Sequence, residues 1–166
     1  MAQMEINVLI DEDFQGFLDA NWLLQHVAEQ VLVSQAVNSS AELGLVVTNQ
    51  ERVQQLNQNY LGEDKPTDVL SFAMIPEPLV IGESETLSAF IQPPDGVLHL
   101  GEVIISYPQA VIQAEEHQHS IKKEIAVLII HGVLHLLGYD HDKPELEHQM
   151  RAKEKEILSY IEGELG

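Results

Sequence analysis

Residues 121–138, IKKEIAVLIIHGVLHLLG, carry apolar side chains around nearly the whole circumference of a helix. Ile125, Val127, Leu128, Ile129, Ile130, Val133, Leu134 and Leu136 leave no wide polar face, the pattern of a helix enclosed by other elements. Ser120 stands where an N-cap hydroxyl closes a first turn, and Gly138 where a C′ residue ends a last one. A helix buried on most sides must be surrounded, and the flanking segments supply what surrounds it.

Downstream, a last helix is expected to begin near Asp142, with Glu145 completing a capping box, Pro144 in the first turn and one apolar stripe of Leu146, Met150, Ile157 and Ile161. Upstream, the alternation of Ile6, Val8 and Ile10 reads as a strand that breaks at Asp11-Glu12-Asp13. Leu24, Val27 and Val31 recur at helical spacing until the turn residues Asn38-Ser39-Ser40. A second strand spans about 43–47. Thr48 and Glu51 then form a capping box for a helix through Val53, Leu56 and Tyr60. The turn Asp64-Lys65-Pro66-Thr67 leads into a third strand from Val69 to Met74. Residues 75–96 hold four of the seven prolines and read as a long excursion of the functional or mobile kind, to which no element is assigned. Val97 to Ile105 reads as a fourth strand broken at Gly101, and Ser106 with Pro108 opens a helix. Residues 1–166 are therefore expected to form one α+β domain, a small mixed sheet of about four strands with about five helices, the helix of residues 121–137 central and buried.

Composition narrows the chemistry. The 166 residues include no Cys, which excludes disulfide scaffolds, thiolate metal sites and cysteine nucleophiles and suits a reducing compartment. Eight basic against 27 acidic residues give a net charge of −19, and the first Lys or Arg is Arg52, so a secretory or mitochondrial leader is not expected. Apolar runs fall short of the roughly 18 residues of a membrane span. A cytoplasmic protein without a membrane partner is the expectation. The charge does not describe a uniformly basic nucleic-acid binder; it leaves a substrate that is not a polyanion, a local contact, or a basic protein partner.

Within the apolar helix, His131 and His135 stand at i and i+4, about 5–6 Å apart on one face, close enough to share a metal ion. Gly138 lets the chain turn back so that His141 returns as a third ligand. Three imidazoles with an open position form the arrangement of catalytic zinc, with nickel, copper or iron also compatible. The spacing is that of the long zinc-protease signature H-E-x-x-H-x-x-G-x-x-H, but Gly132 occupies the position of the general-base Glu. A protease-like metallohydrolase would need a carboxylate from elsewhere, Asp140 or Glu102. Each also has a plainer reading: Asp140 as a group that orients an imidazole, Glu102 as a solvent-facing residue.

Residues 131–141, His-Gly-Val-Leu-His-Leu-Leu-Gly-Tyr-Asp-His, resemble the signature of the bacterial YbeY family. Residues 57–72, from Asn57-Gln58-Asn59-Tyr60-Leu61 to Asp68-Val69-Leu70-Ser71-Phe72, resemble its second motif, and Leu100 to Ser106 a third. The resemblance implies a single-strand-specific, zinc-dependent endoribonuclease acting in 3′-end maturation of 16S ribosomal RNA and in ribosome quality control. Its substrate would be single-stranded ribosomal RNA, and the ribosome or a basic ribosomal protein would be its partner. The family pattern has an Arg after the Tyr of the second motif, where this chain has Leu61. Leucine cannot contact a phosphate, so Lys65 is the candidate to supply a positive charge, without the planar fork of Arg. Leu61 also favours an alternative, a ribosome-assembly or interaction protein with a structural or vestigial zinc site.

Other polar groups have plainer readings. His117 and His119 are expected to be surface histidines before a helix cap rather than a metal-proximal pair, and His148 an exposed residue on a charged helix. Lys122, Lys123, Lys143, Arg151, Lys153 and Lys155 each lie near acids and read as a solvated face.

Overall fold

The computed structural model describes residues 4–11, 21–35, 40–62, 67–74, 97–139 and 144–162. Strands β1 (Met4–Ile10), β2 (Ser40–Thr48), β3 (Val69–Ala73) and β4 (Val97–Ser106) form one sheet in the order β1-β2-β4-β3. β1 and β2 are parallel, as are β2 and β4, whereas β3 runs antiparallel along the edge of β4. Among the described residues five α-helices accompany them: α1 (Asn21–Ser34), α2 (Gln50–Leu56), α3 (Tyr107–Glu116), α4 (Ile121–Leu136) and α5 (Pro144–Ile161). The mixed four-stranded sheet with five helices is the α+β architecture anticipated from the sequence. The loop expected over 75–96, residues 64–66 of the turn expected at Asp64-Lys65-Pro66-Thr67, and the Asp142 cap lie outside the described residues.

α4 is the hub, touching α1, α3, α5, β3 and β4. Ile125, Ile129, Ile130, Val133 and Leu134 are each at most 1% exposed, which accounts for the apolar pattern around the cylinder. Its ends are capped as expected. The Ser120 hydroxyl accepts from Lys123 N–H. At the far end, Tyr139 N–H donates to the Leu134 carbonyl and Gly138 N–H to that of His135, with Gly138 at φ 110°, the paired bonds of a Schellman ending. The Tyr139 hydroxyl then donates to Gln35 Oε1 at 2.7 Å beyond α1, and burial pushes this phenol above its ordinary pKa.

Two details depart from expectation. Thr48 is the last residue of β2, and its hydroxyl donates to Asp11; the N-cap of α2 is Asn49, whose side chain accepts from Arg52 N–H. The pairing of Thr48 with Ser106 keeps Thr48 in the ladder, so capping passes to the next residue able to do it. α2 also runs on into a π-helical turn, Asn57–Leu61. The break anticipated at Gly101 is a bulge: Glu42 pairs with His99 and Leu43 with Gly101, leaving Leu100 as an extra residue in β4. Gly101 sits at φ 130°, and a Cβ there would overlap the Phe72 carbonyl oxygen.

The bulge sorts the two faces of β4. Leu98, Leu100, Val103 and Ile105 join the main core under α1 and α4. Glu102 and Ile104 point the other way, where Val53, Leu70 and Ile104 form a small second core with Val46, Leu56 and Phe72.

Candidate functional site

The C-terminal half of α4 lies across β3 and β4 at Gly132. A Cβ on this residue would stand 2.5 Å from Val103 Cγ1 and 3.2 Å from Ser71 Oγ, and the Ser71 hydroxyl donates to the Gly132 carbonyl at 3.2 Å. The glycine therefore sets how closely helix and sheet approach. Position 132 faces the sheet, which leaves its neighbours His131 and His135 on another face.

Those two imidazoles meet. Their Nε2 atoms are 3.2 Å apart, and the rings cross at 74° with centroids separated by 4.6 Å. Two nitrogen ligands on a tetrahedral zinc, each about 2.0–2.1 Å from the ion, would be roughly 3.3 Å apart, so the observed gap fits one shared ion. On the opposite edge of the His131 ring, Nδ1 lies 2.8 Å from Glu154 Oε1 on α5. A carboxylate on Nδ1 fixes the tautomer and aims Nε2 at the shared point, the outer-sphere partner that ligating histidines characteristically have. Sequence reasoning missed Glu154. It is 23 residues from His131 on a helix crowded with acids, and only the packing of α5 on α4 distinguishes it.

The third expected ligand, His141, and the candidate groups Asp140 and Lys65 lie outside the described residues. The anchor before them is placed: Gly138 turns the chain, and Tyr139 is buried and tied to Gln35. Leu61 closes the π-helical turn, ahead of Gly62 in the left-handed conformation.

Glu102 does not serve this site. It is exposed on the opposite face of the sheet, lining a cleft of about 310 Å³ with Leu56, Tyr60, Phe72, Met74 and Ile104. In this cleft Tyr60 and Phe72 meet edge to face, with centroids 5.4 Å apart.

His117 is exposed, as the surface reading expected, but it and the half-buried His119 also meet one carboxylate. Among the described residues they form, with Glu124, a group able to hold a metal ion, all three ligand atoms lying within 4.8 Å of one another. His117 Nδ1 is 3.0 Å and His119 Nε2 2.5 Å from the same Glu124 oxygen. The hydrogen bond to Glu124, and then its charge, raise the pKa of His117 above the ordinary value. The first-turn Glu of an apolar helix five residues after a His was the available signal. His148 is exposed as expected, and Arg151 and Lys153 pair with Glu147 and Glu156 on their own helix. Among the described residues, no helix is long and apolar enough to cross a membrane.

Comparison with known proteins gives a consistent result. The family described as Endoribonuclease YbeY matches residues 12–162. A protein named Endoribonuclease YbeY from Dehalococcoides mccartyi is 46% identical over 161 residues, covering 95% of this chain and 97% of the relative. One of the same name from a Roseiflexus species is 39% identical over 158 residues, covering 95% and 92%. In fold, the chain is similar to the solution structure of TM1509 from Thermotoga maritima, with a TM-score of 0.57 and 21% identity over 96% of this chain and 93% of that one.

Proposed function

The chain belongs to the YbeY endoribonuclease family, and from that premise we propose that it is a zinc-dependent, single-strand-specific endoribonuclease acting in 3′-end maturation of 16S ribosomal RNA and in ribosome quality control. The observation that supports the metal centre is the convergence of His131 and His135 Nε2 at 3.2 Å with Glu154 behind His131. His131, His135 and His141 would hold the ion. Bound there, it supplies Lewis acidity toward a phosphodiester oxygen or a water.

The chain's own groups do the positioning. Glu154 orients His131 from α5, and the contact of Gly132 with Val103 keeps both histidines at a fixed height over the sheet edge. Asp140 follows the anchored turn at Tyr139 and is the candidate carboxylate, to take a proton or to orient His141. Lys65, in the sequence segment before β3, is the candidate phosphate contact in the absence of an Arg at position 61. The net charge of −19 opposes unassisted capture of RNA. A positively charged ribosomal protein is therefore proposed as the recruiting partner, in the cytoplasm.

Cleavage of a small-subunit precursor RNA by the purified protein, beside His135→Ala and with and without chelator, tests this reading. The expected result is cleavage by the native protein alone, lost in the variant and on chelation. Equal cleavage by both proteins would refute the assignment of the site. Absence of cleavage by either, on free RNA and on ribosome-bound precursor alike, would favour the assembly-factor reading to which Leu61 points.

A further inference from the structure

The corner between α3 and α4 holds a cluster that the proposed cleavage does not use. We infer that His117, His119 and Glu124 form a second metal site, which takes a zinc-class divalent ion and clamps the end of α3 to the start of α4. This goes beyond the catalytic reading and does not depend on it. Glu124 and His131 are seven residues apart on α4, two helical turns or about 10 Å along the axis, well outside the roughly 3.5–4 Å of a two-metal centre.

The donor set is two imidazole nitrogens and a carboxylate oxygen, which suits zinc with one position left open. The local fold brings them together. α3 ends with Gln118 at φ 58°, a left-handed residue that side-chain-bearing amino acids seldom adopt, and His119 N–H donates back to the Ala114 carbonyl. This reversal directs rings on either side of Gln118 at one oxygen of Glu124, whose side chain is only 3% exposed while that of His117 is 56% exposed. The result is a buried anionic anchor with an open path on one side.

Support behind the carboxylate is also in place. Gln113 Nε2 approaches the second oxygen of Glu124 at 3.5 Å and donates to Asp68 Oδ2 at 3.0 Å. The Asp68 carbonyl in turn accepts from the N–H of Ser106, the N-cap of α3. An ion at this corner thus engages the entry to β3, both ends of α3 and the first turn of the helix that carries His131 and His135.

The test is zinc binding to the full-length protein by equilibrium dialysis with elemental analysis, using native protein, His117→Ala, His135→Ala and the double variant. His117 is exposed enough that its truncation should leave the fold intact, and circular dichroism checks this. A second zinc equivalent is expected in the native protein, lost with His117→Ala and kept by His135→Ala. Removing a direct ligand should weaken the site by more than the about 10–100-fold that loss of an outer-sphere partner costs. Zinc should also raise the melting temperature of His135→Ala and not that of the double variant. Native stoichiometry and affinity in His117→Ala would overturn the inference, as would a folded His135→Ala protein that binds no zinc. Zinc lost with His117→Ala yet unchanged with His135→Ala would uphold the clamp and count against the His131–His135 site instead.

Discussion

Gly132→Ala measures whether the helix-to-sheet contact governs this fold. In isolation the change favours a helix, since Ala is better than Gly by about 1 kcal/mol in a helix interior. Here the new methyl would lie 2.5 Å and 3.0 Å from the two γ-carbons of Val103, where about 3.5–4.0 Å is comfortable. Val103 is completely buried in β4, and its β-branched side chain has little freedom to turn away. Overpacking of this kind costs about 1–3 kcal/mol, and an immovable neighbour argues for the upper part of that range. The net expectation is a loss of about 1–2 kcal/mol, or a fall in Tm of about 2–8 °C for a chain of this size. Urea denaturation with chelator present, so that metal linkage does not contribute, gives the value directly. Adding Val103→Ala should relieve the clash and show a favourable coupling of about 0.5–3 kcal/mol in a double-mutant cycle. A Gly132→Ala protein as stable as the native one, or strict additivity with Val103→Ala, would refute the reasoning.

Glu154→Gln should keep the fold and weaken zinc binding at the His131–His135 site by about 10–100-fold, read by competition with a chromogenic chelator; unchanged affinity would mean that Glu154 does not orient His131. Gly101→Ala combines a positive-φ penalty of about 1–3 kcal/mol with overlap on the Phe72 carbonyl of similar size, so its urea midpoint should fall by about 2–6 kcal/mol equivalent, and a native midpoint would contradict the bulge. Tyr139→Phe removes the bond to Gln35 and should cost about 1 kcal/mol at neutral pH. Because the Tyr139 phenol titrates above its ordinary 10.0 in the folded state, the stability linked to it is present below that pH and is lost as pH rises past it. The variant should therefore show a shallower alkaline decline in stability, and parallel declines would argue against the burial of this hydroxyl.

What could be read in advance was what local chemistry dictates. The caps at Ser106 and Ser120 and the ending at Gly138 depend on groups within a few residues, and each sits where the pattern placed it. The enclosed character of α4 followed from its own circumference. The Thr48 cap failed because a neighbouring strand claimed Thr48, which no local pattern reports. Glu102 is the solvent-facing residue of its plainer reading, and as a candidate base it fails for a sharper reason. Leu98 and Leu100 point into the core, and strict alternation would have sent Glu102 the same way; the extra residue at the bulge reversed the phase and put it on the far face. Glu154 was invisible as a partner because its role arises from α5 packing on α4, and the spacing of Glu124 after His119 gains meaning only with the reversal after α3.

The same geometry explains how this chain departs from the protease signature it shares. In that signature the residue after the first His is the general base, so its side chain must point toward the metal. At the equivalent position here the backbone is pressed against Val103 and Ser71, and even a methyl group has no room. Restoring a glutamate at 132 would therefore drive its carboxylate into the sheet rather than toward His131 and His135. Position 132 therefore offers no room for a proton-handling side chain. The described chain leaves α4 through Gly138 and reaches an anchor formed by the Tyr139 hydroxyl and Gln35, one residue before Asp140 in the sequence. Close helix packing and the lack of room for a side chain after the first His are thus linked consequences of a single glycine. They count against the peptidase chemistry that the histidine spacing alone suggests, because that chemistry places its general base at this position.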